Sequence, residues 1–145
     1  MKVKIKLFDQ SLPLPEYKTT GAAGFDLYTR EFIKIAPKEF TLVSANLAIK
    51  VPKGYFLLIN SRGSTFNKFG LLVIPGILDE DFCGDDDECK IQLLNLSNKK
   101  VKLEKGTRIA QGILVKITRA EFTKVKIMKG KNRGMLGTTG HIIDN

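Results

Sequence analysis

The chain has 145 residues, with 24 Lys and Arg against 15 Asp and Glu for a net charge of +9, two cysteines and one histidine. That length suits a single domain with its own core; no apolar run approaches membrane-spanning length, and the N-terminus "MKVKIKLFDQ" has no continuous apolar stretch, so a cytoplasmic protein without a membrane partner is expected. The lone His141 sits four residues from the end, which leaves Ser-His-Asp and Cys-His chemistry little support, and neither a GxxxxGK[ST] nor a GxGxxG loop is present.

Strand signals dominate in chain order. Val3, Ile5 and Leu7 alternate with Lys2, Lys4 and Lys6, the pattern of a half-buried strand. "EFIKIAP" stops at Pro37, and "FTLVSANLAIKVP" breaks near Ser44–Asn46 before Pro52. "GYFLLIN", "LLVI", "KIQLLNLS", "VKLEKGTRIAQGILVKI" and "FTKVKIM" continue the series. One short helix fits "STFNKFG", with Ser64 or Thr65 at its start and Gly70 as its stop. Gly and Pro punctuation recurs about every eight to twelve residues, which predicts an antiparallel β-sandwich or barrel. The end differs: residues 129–145 carry Gly130, Gly134, Gly137 and Gly140 in a polar setting. A core domain over 1–128 followed by a mobile Gly-rich tail over 129–145 is therefore expected.

Charge is unevenly spread. Seven of the fifteen acids fall between Asp79 and Glu88, with no Lys or Arg among them. A positive body around a negative focus suits a polyanionic ligand that brings a divalent cation. Nucleic acid would also suit a basic protein, but zinc-finger spacing, RNP-like aromatics and dense Lys/Arg tracts are all missing, so no stable nucleic-acid partner is expected. Cys83 and Cys89 read as two reduced thiols in a reducing cytosol, able to pair under oxidation if "GDDDE" forms a hairpin tip.

Four features have matching chemistry: carboxylates at Asp26 and Asp79–Asp81; "SRGS" with Arg62 ahead of the short helix; "KGTRIAQG" with Arg108 and Gln111; and the tail with Arg133 and Thr138. Arginine pairs with phosphate in a bidentate manner, a helix start favours anions, and separated carboxylates can hold hydrated Mg²⁺ through its waters. Taken singly, each could equally be an ion pair, a turn cap or a buried amide.

In order, they resemble the five motifs of the trimeric all-β dUTPase family, spread through nearly the whole chain. "AAGFDLY" (22–28) is similar to the first motif, "SRGST" (61–65) to the second, "GILDEDFCG" (76–84) to the third, Gly-x-Ile-Asp-x-Asp-Tyr-x-Gly, "KGTRIAQ" (105–111) to the fourth, and "RGMLGTTG" (133–140) to the fifth. The resemblance implies a jelly-roll β-fold and a homotrimer whose active sites are assembled from all three subunits. The implied reaction is Mg²⁺-assisted hydrolysis of dUTP to dUMP and pyrophosphate. It implies that Asp79 activates the water that attacks the α-phosphorus and that Asp26 holds a water of the Mg²⁺ shell. Ile77 and Leu78 would read uracil, with Cys89 supplying backbone, and Phe82, in place of the family Tyr, would pack on deoxyribose. Arg62, Gly63, Ser64 and Gln111 would hold the phosphates. Arg133, Leu136, Gly137 and Thr138 would close over the substrate as a lid.

Two positions depart from the family pattern. Gly63 stands where a Ser supports the leaving group, and Leu136 where a Phe stacks on the base. These departures keep open a weakened, nucleotide-binding regulatory protein; the related dCTP deaminases, whose motif lacks the second acid present here as Asp81, are a more distant alternative. The resemblance leaves Asp85–Glu88 unassigned, and a solvated hairpin tip is the expectation there.

Overall fold

A computed structural model describes residues 1–134. It holds eleven strands and one short helix, all within Lys4–Lys116. Alternation in the N-terminal segment gives β1 (Lys4–Leu7), which pairs antiparallel with β5 (Leu47–Lys50) so that Ile5 faces Ile49 and Leu7 faces Leu47. The strand break predicted near Ser44–Asn46 separates β4 (Phe40–Ser44) from β5. Asn46 takes the left-handed conformation there (φ +67°). A short amide tolerates that geometry, and its side chain ties the turn to Asp9, accepting from the Asp9 amide at 2.7 Å and donating to the Asp9 carbonyl at 3.0 Å.

β2 (Phe25–Tyr28) is buried along its whole length beside β11 (Arg108–Lys116), which also pairs with β6 (Tyr55–Ser61). β6 pairs in turn with β8 (Gly76–Leu78), completing a four-stranded sheet in the order β2-β11-β6-β8. A second sheet runs β4, β9 (Lys90–Asn95), β7 (Leu71–Ile74). β3 (Ile33–Ile35) and β10 (Val101–Leu103) form a further antiparallel pair. Leu27, Ile35, Leu57, Ile59, Ile91 and Leu93 are fully buried between these layers, each stabilising the fold by roughly 1.5–3 kcal/mol. The all-β jelly-roll expectation is met.

The helix α1 (Thr65–Phe69) ends as expected at Gly70 (φ +66°), whose amide donates to the Phe66 carbonyl at 2.7 Å. Ser64 occupies the N-cap position but makes no capping hydrogen bond, so its hydroxyl is not spent on the helix. Gly112 is required by packing, because a Cβ there would stand 2.7 Å from the Phe25 ring and 3.0 Å from Leu57.

The run "VIPGIL" is divided between two sheets: β7 joins the sheet of β9, β8 joins the sheet of β6, and the chain changes sheets at Pro75. Proline, which has no amide hydrogen to pair, suits the crossing point. "FTKVKIM" (122–128) is not a strand, and it lies exposed throughout. Its alternation made it an expected strand, but among the described residues it pairs with no sheet edge.

Candidate active site

Two groups of side chains emerge. The first lies where β2, β11 and the end of β6 meet. A register shift between Arg108 and Ala110 buries Ile109 and turns Arg108 back over β2. Asp26, only 6% exposed, accepts from Arg62 Nε at 2.6 Å on one oxygen and from Arg108 Nη1 at 3.1 Å on the other. Arg62 also donates to the Arg108 carbonyl at 3.2 Å, and Gln111, opposite Asp26 in the ladder, donates to the Ser61 carbonyl at 2.8 Å. Buried Thr65 fastens the helix start to the Ile109 carbonyl at 2.8 Å. Two guanidiniums on one carboxylate leave a local excess of positive charge. That suits a phosphate, and the carboxylate fixes both forks before any ligand arrives. Gly63 is exposed, with open space where a Cβ would sit.

The second group surrounds a cleft of about 530 Å³ between the two sheets, lined by Gly76, Ile77, Leu78, Asp79, Asp81 and Phe82 on one wall and Glu88, Lys90 and Gln92 on the other. β8 is the edge of its sheet, so the backbone groups it turns away from β6 are unpaired among the described residues and able to read a flat, hydrogen-bonding ligand. Ile77 is 65% exposed. In the run Asp79-Glu80-Asp81 the two aspartates line the cleft while Glu80 points away from it. Glu80 accepts from the Gly54 amide at 2.8 Å and from Arg119 Nη2 at 3.0 Å. The Gly54 amide and then Arg119 hold its carboxyl below the usual range. The middle acid thus anchors the loop that presents the outer two.

Some expected site residues fall elsewhere. Cys89 does not line the cleft: it lies in the core, its amide donating to Leu47 and its carbonyl accepting from Ala45. Burial, reinforced by the Glu88 charge, pushes its thiol up to about 12. Both cysteines are free. Arg133 is exposed, and Leu136, Gly137 and Thr138 lie outside the described residues. The expected solvated tip also needs correction. Asp85 and Asp86 are exposed, but Asp87 caps the Gly84 amide at 2.6 Å and Glu88 is buried in an ion-pair network. Glu88, Lys90 and Gln92 were missed. The available signal was the strand alternation of "ECKIQ", which puts 88, 90 and 92 on one face.

Among the described residues, no hydrogen bond or ion pair joins the two groups. Leu78, next to Asp79, faces Leu57 near the start of β6, whereas Ser61, next to Arg62, ends that strand. Four strand steps separate them by about 13 Å. One chain therefore does not bring Asp79 to the phosphate-type site around Asp26.

As for a metal, no cluster of three or more ligating side chains occurs among the described residues. Asp26, with each oxygen already accepting from an arginine, does not make an inner-sphere cage. It retains lone pairs for the water of a hydrated cation, which fits Mg²⁺ arriving on a triphosphate.

A family model described as dUTPase matches residues 10–140. Two curated relatives, both deoxyuridine 5'-triphosphate nucleotidohydrolases, align over nearly the whole length. The one from Hydrogenobaculum sp. (strain Y04AAS1) is 39% identical over 97% of this chain and 99% of its own. The one from Finegoldia magna (strain ATCC 29328 / DSM 20472 / WAL 2508) is 37% identical over 96% of this chain and 100% of its own. Among solved structures, a Staphylococcus bacteriophage 80alpha dUTPase with dUPNHPP superimposes with a TM-score of 0.85 at 23% identity, covering 96% of this chain and 98% of that one. A mutant dUTPase from phage phi11 of S. aureus, described for its coordination of a structural Mg(II) ion, gives 0.79 at 19% identity over 90% and 100%. The jelly-roll strands carry the ordered motifs on an edge-strand cleft and an arginine-framed carboxylate, and sequence relatives match from end to end: this chain belongs to the dUTPase family.

Proposed function

We propose that this chain hydrolyses dUTP to dUMP and pyrophosphate with Asp79 as the base. The observation that carries this proposal is the exposed Asp79 carboxylate at the lip of a cleft walled by the free edge of β8. The backbone around Ile77 and Leu78 pairs with uracil, Phe82 covers the deoxyribose, and Cys89 underlies the pocket from the core. A water oxygen adds to the α-phosphorus while its proton passes to Asp79. The bond from that phosphorus to the bridging oxygen breaks, and pyrophosphate leaves with the electron pair. Asp79 works by holding the water in line, so positioning supplies most of its effect.

Arg62, Gly63, Ser64 and Gln111 bind the phosphate chain. Mg²⁺ carried on the triphosphate supplies charge neutralisation when bound, and Asp26 accepts from one of its waters. Arg133, Leu136, Gly137 and Thr138, in a tail over 129–145 beyond a core over 1–128, close over the substrate.

The separation of Asp79 from Arg62 along β6 supports a homotrimer in which each site takes Asp79 from one subunit and the Asp26 group from another. An uncovered apolar face supports the same assembly: Phe40, Leu94 and Leu72 form a row across the second sheet, beside Leu42, and Phe40, Leu42 and Leu72 are exposed. Two free thiols suit a reducing cytoplasm. The test is pyrophosphate release from a panel of deoxynucleoside triphosphates with Mg²⁺. Wild type is expected to prefer dUTP, and Asp79→Asn to lose at least about a hundredfold in kcat. Undiminished hydrolysis by Asp79→Asn would refute the role of Asp79.

A further inference from the structure

The second wall of the cleft holds a charged group that the chemistry above leaves unused. Glu88 is only 6% exposed. Its Oε1 accepts from the Asn46 amide at 3.1 Å and pairs with Arg30 Nε at 3.2 Å, and its Oε2 accepts from Lys90 Nζ at 2.8 Å. Lys90 Nζ also donates to Ser44 Oγ at 2.7 Å, Ser44 being its neighbour across the β4–β9 ladder. An ammonium has three donors and no acceptor. Two are held by Glu88 and Ser44, so the head group is fixed, and among the described residues the third donor has no protein partner. Lys90 lines the cleft opposite the β8 edge.

We propose that Lys90 is a specificity-determining residue that selects a pyrimidine with a carbonyl at ring position 4 over one with an amino group there. The proposal rests on the cleft being the base pocket of a dUTP hydrolase. The β8 backbone offers donors and acceptors alike, and the Gln92 amide can turn to present either. Lys90 can only donate. Uracil O4 accepts from it; the exocyclic amine of cytosine brings a second donor against a fixed positive charge, leaving both unpaired. Buried Glu88, locked in turn by Arg30 and Asn46, keeps the ammonium from swinging out to solvent.

The experiment measures kcat/KM for dUTP, dCTP and dTTP, by pyrophosphate release, in wild type, Lys90→Met and Lys90→Arg. Lys90→Met is expected to lower the dUTP/dCTP ratio by about tenfold or more, while the dUTP/dTTP ratio holds within about twofold, because a methyl at ring position 5 is rejected by shape. Lys90→Arg, which also only donates, keeps most of the discrimination. Should Lys90→Met not fold, Lys90→Gln, which donates and accepts, is expected to show the same drop in ratio. Equal losses on dUTP and dCTP would reduce Lys90 to a counter-ion for Glu88 and overturn the proposal while leaving the hydrolase intact. A wild type that turns over no dUTP would remove the base pocket itself.

Discussion

At Gly63 the chain lacks the hydroxyl that the dUTPase pattern supplies beside the leaving group, and the structure leaves open space where a side chain would go. Gly63→Ser should therefore fold with a melting temperature close to wild type. By restoring a hydrogen bond that forms on the departing oxygen, it should raise kcat by as much as about a hundredfold. Steady-state kinetics on dUTP check this, and an unchanged kcat would show that Ser64, whose hydroxyl does not cap the helix, already does the work. Residue identities were unevenly legible. Asp26, Arg62, Gln111 and Asp79 were picked out because the motifs that hold them resemble, in order, those of the dUTPase family. Glu88 was not, because "DDDE" reads as uniform charge, although the alternation of "ECKIQ" puts it on one face with Lys90 and Gln92. Only the fold separates two exposed aspartates from a cap at Asp87 and a buried ion pair at Glu88.

At the scale of elements, β1 was visible from side-chain alternation, β6, β9 and β11 were visible as apolar runs set between Gly and Pro punctuation, and Gly70 marked the end of α1 through its left-handed backbone. What the pattern could not reveal was which strands pair. Periodicity says which face is buried, whereas pairing depends on where distant edges lie. Hence β8 and β9, close in sequence, fall in different sheets, and it is that split which opens the cleft. Packing at Gly112 gives a direct check on the sheet that carries Arg108 and Gln111. A Cβ there would collide with the Phe25 ring, so Gly112→Ala should cost about 1–3 kcal/mol and lower the thermal midpoint. An unaltered melt would mean that β2 does not press on β11 as described.

The molecule as a whole has an unfinished look in one chain. Residues 122–128 carry a strand's alternation yet pair with no strand among the described residues, and Phe122 is 97% exposed. An apolar row crosses one face of the second sheet, and Asp79, the proposed base, lies apart from Arg62 and Arg108, the proposed phosphate ligands. Assembly is the part of the account that composition and period could not reach, because a sequence shows a face to be apolar without showing what covers it. A site divided between subunits explains all three features. Subunit mixing tests it most directly. Asp79→Asn and Arg62→Ala are each expected to be nearly inactive; unfolding and refolding them together in equal amounts should regenerate about a quarter of the wild-type activity, because that fraction of sites draws an intact Asp79 from one variant and an intact Arg62 from the other. If the mixture stays as inactive as its parts, both residues serve a site within a single chain, and the divided active site is wrong.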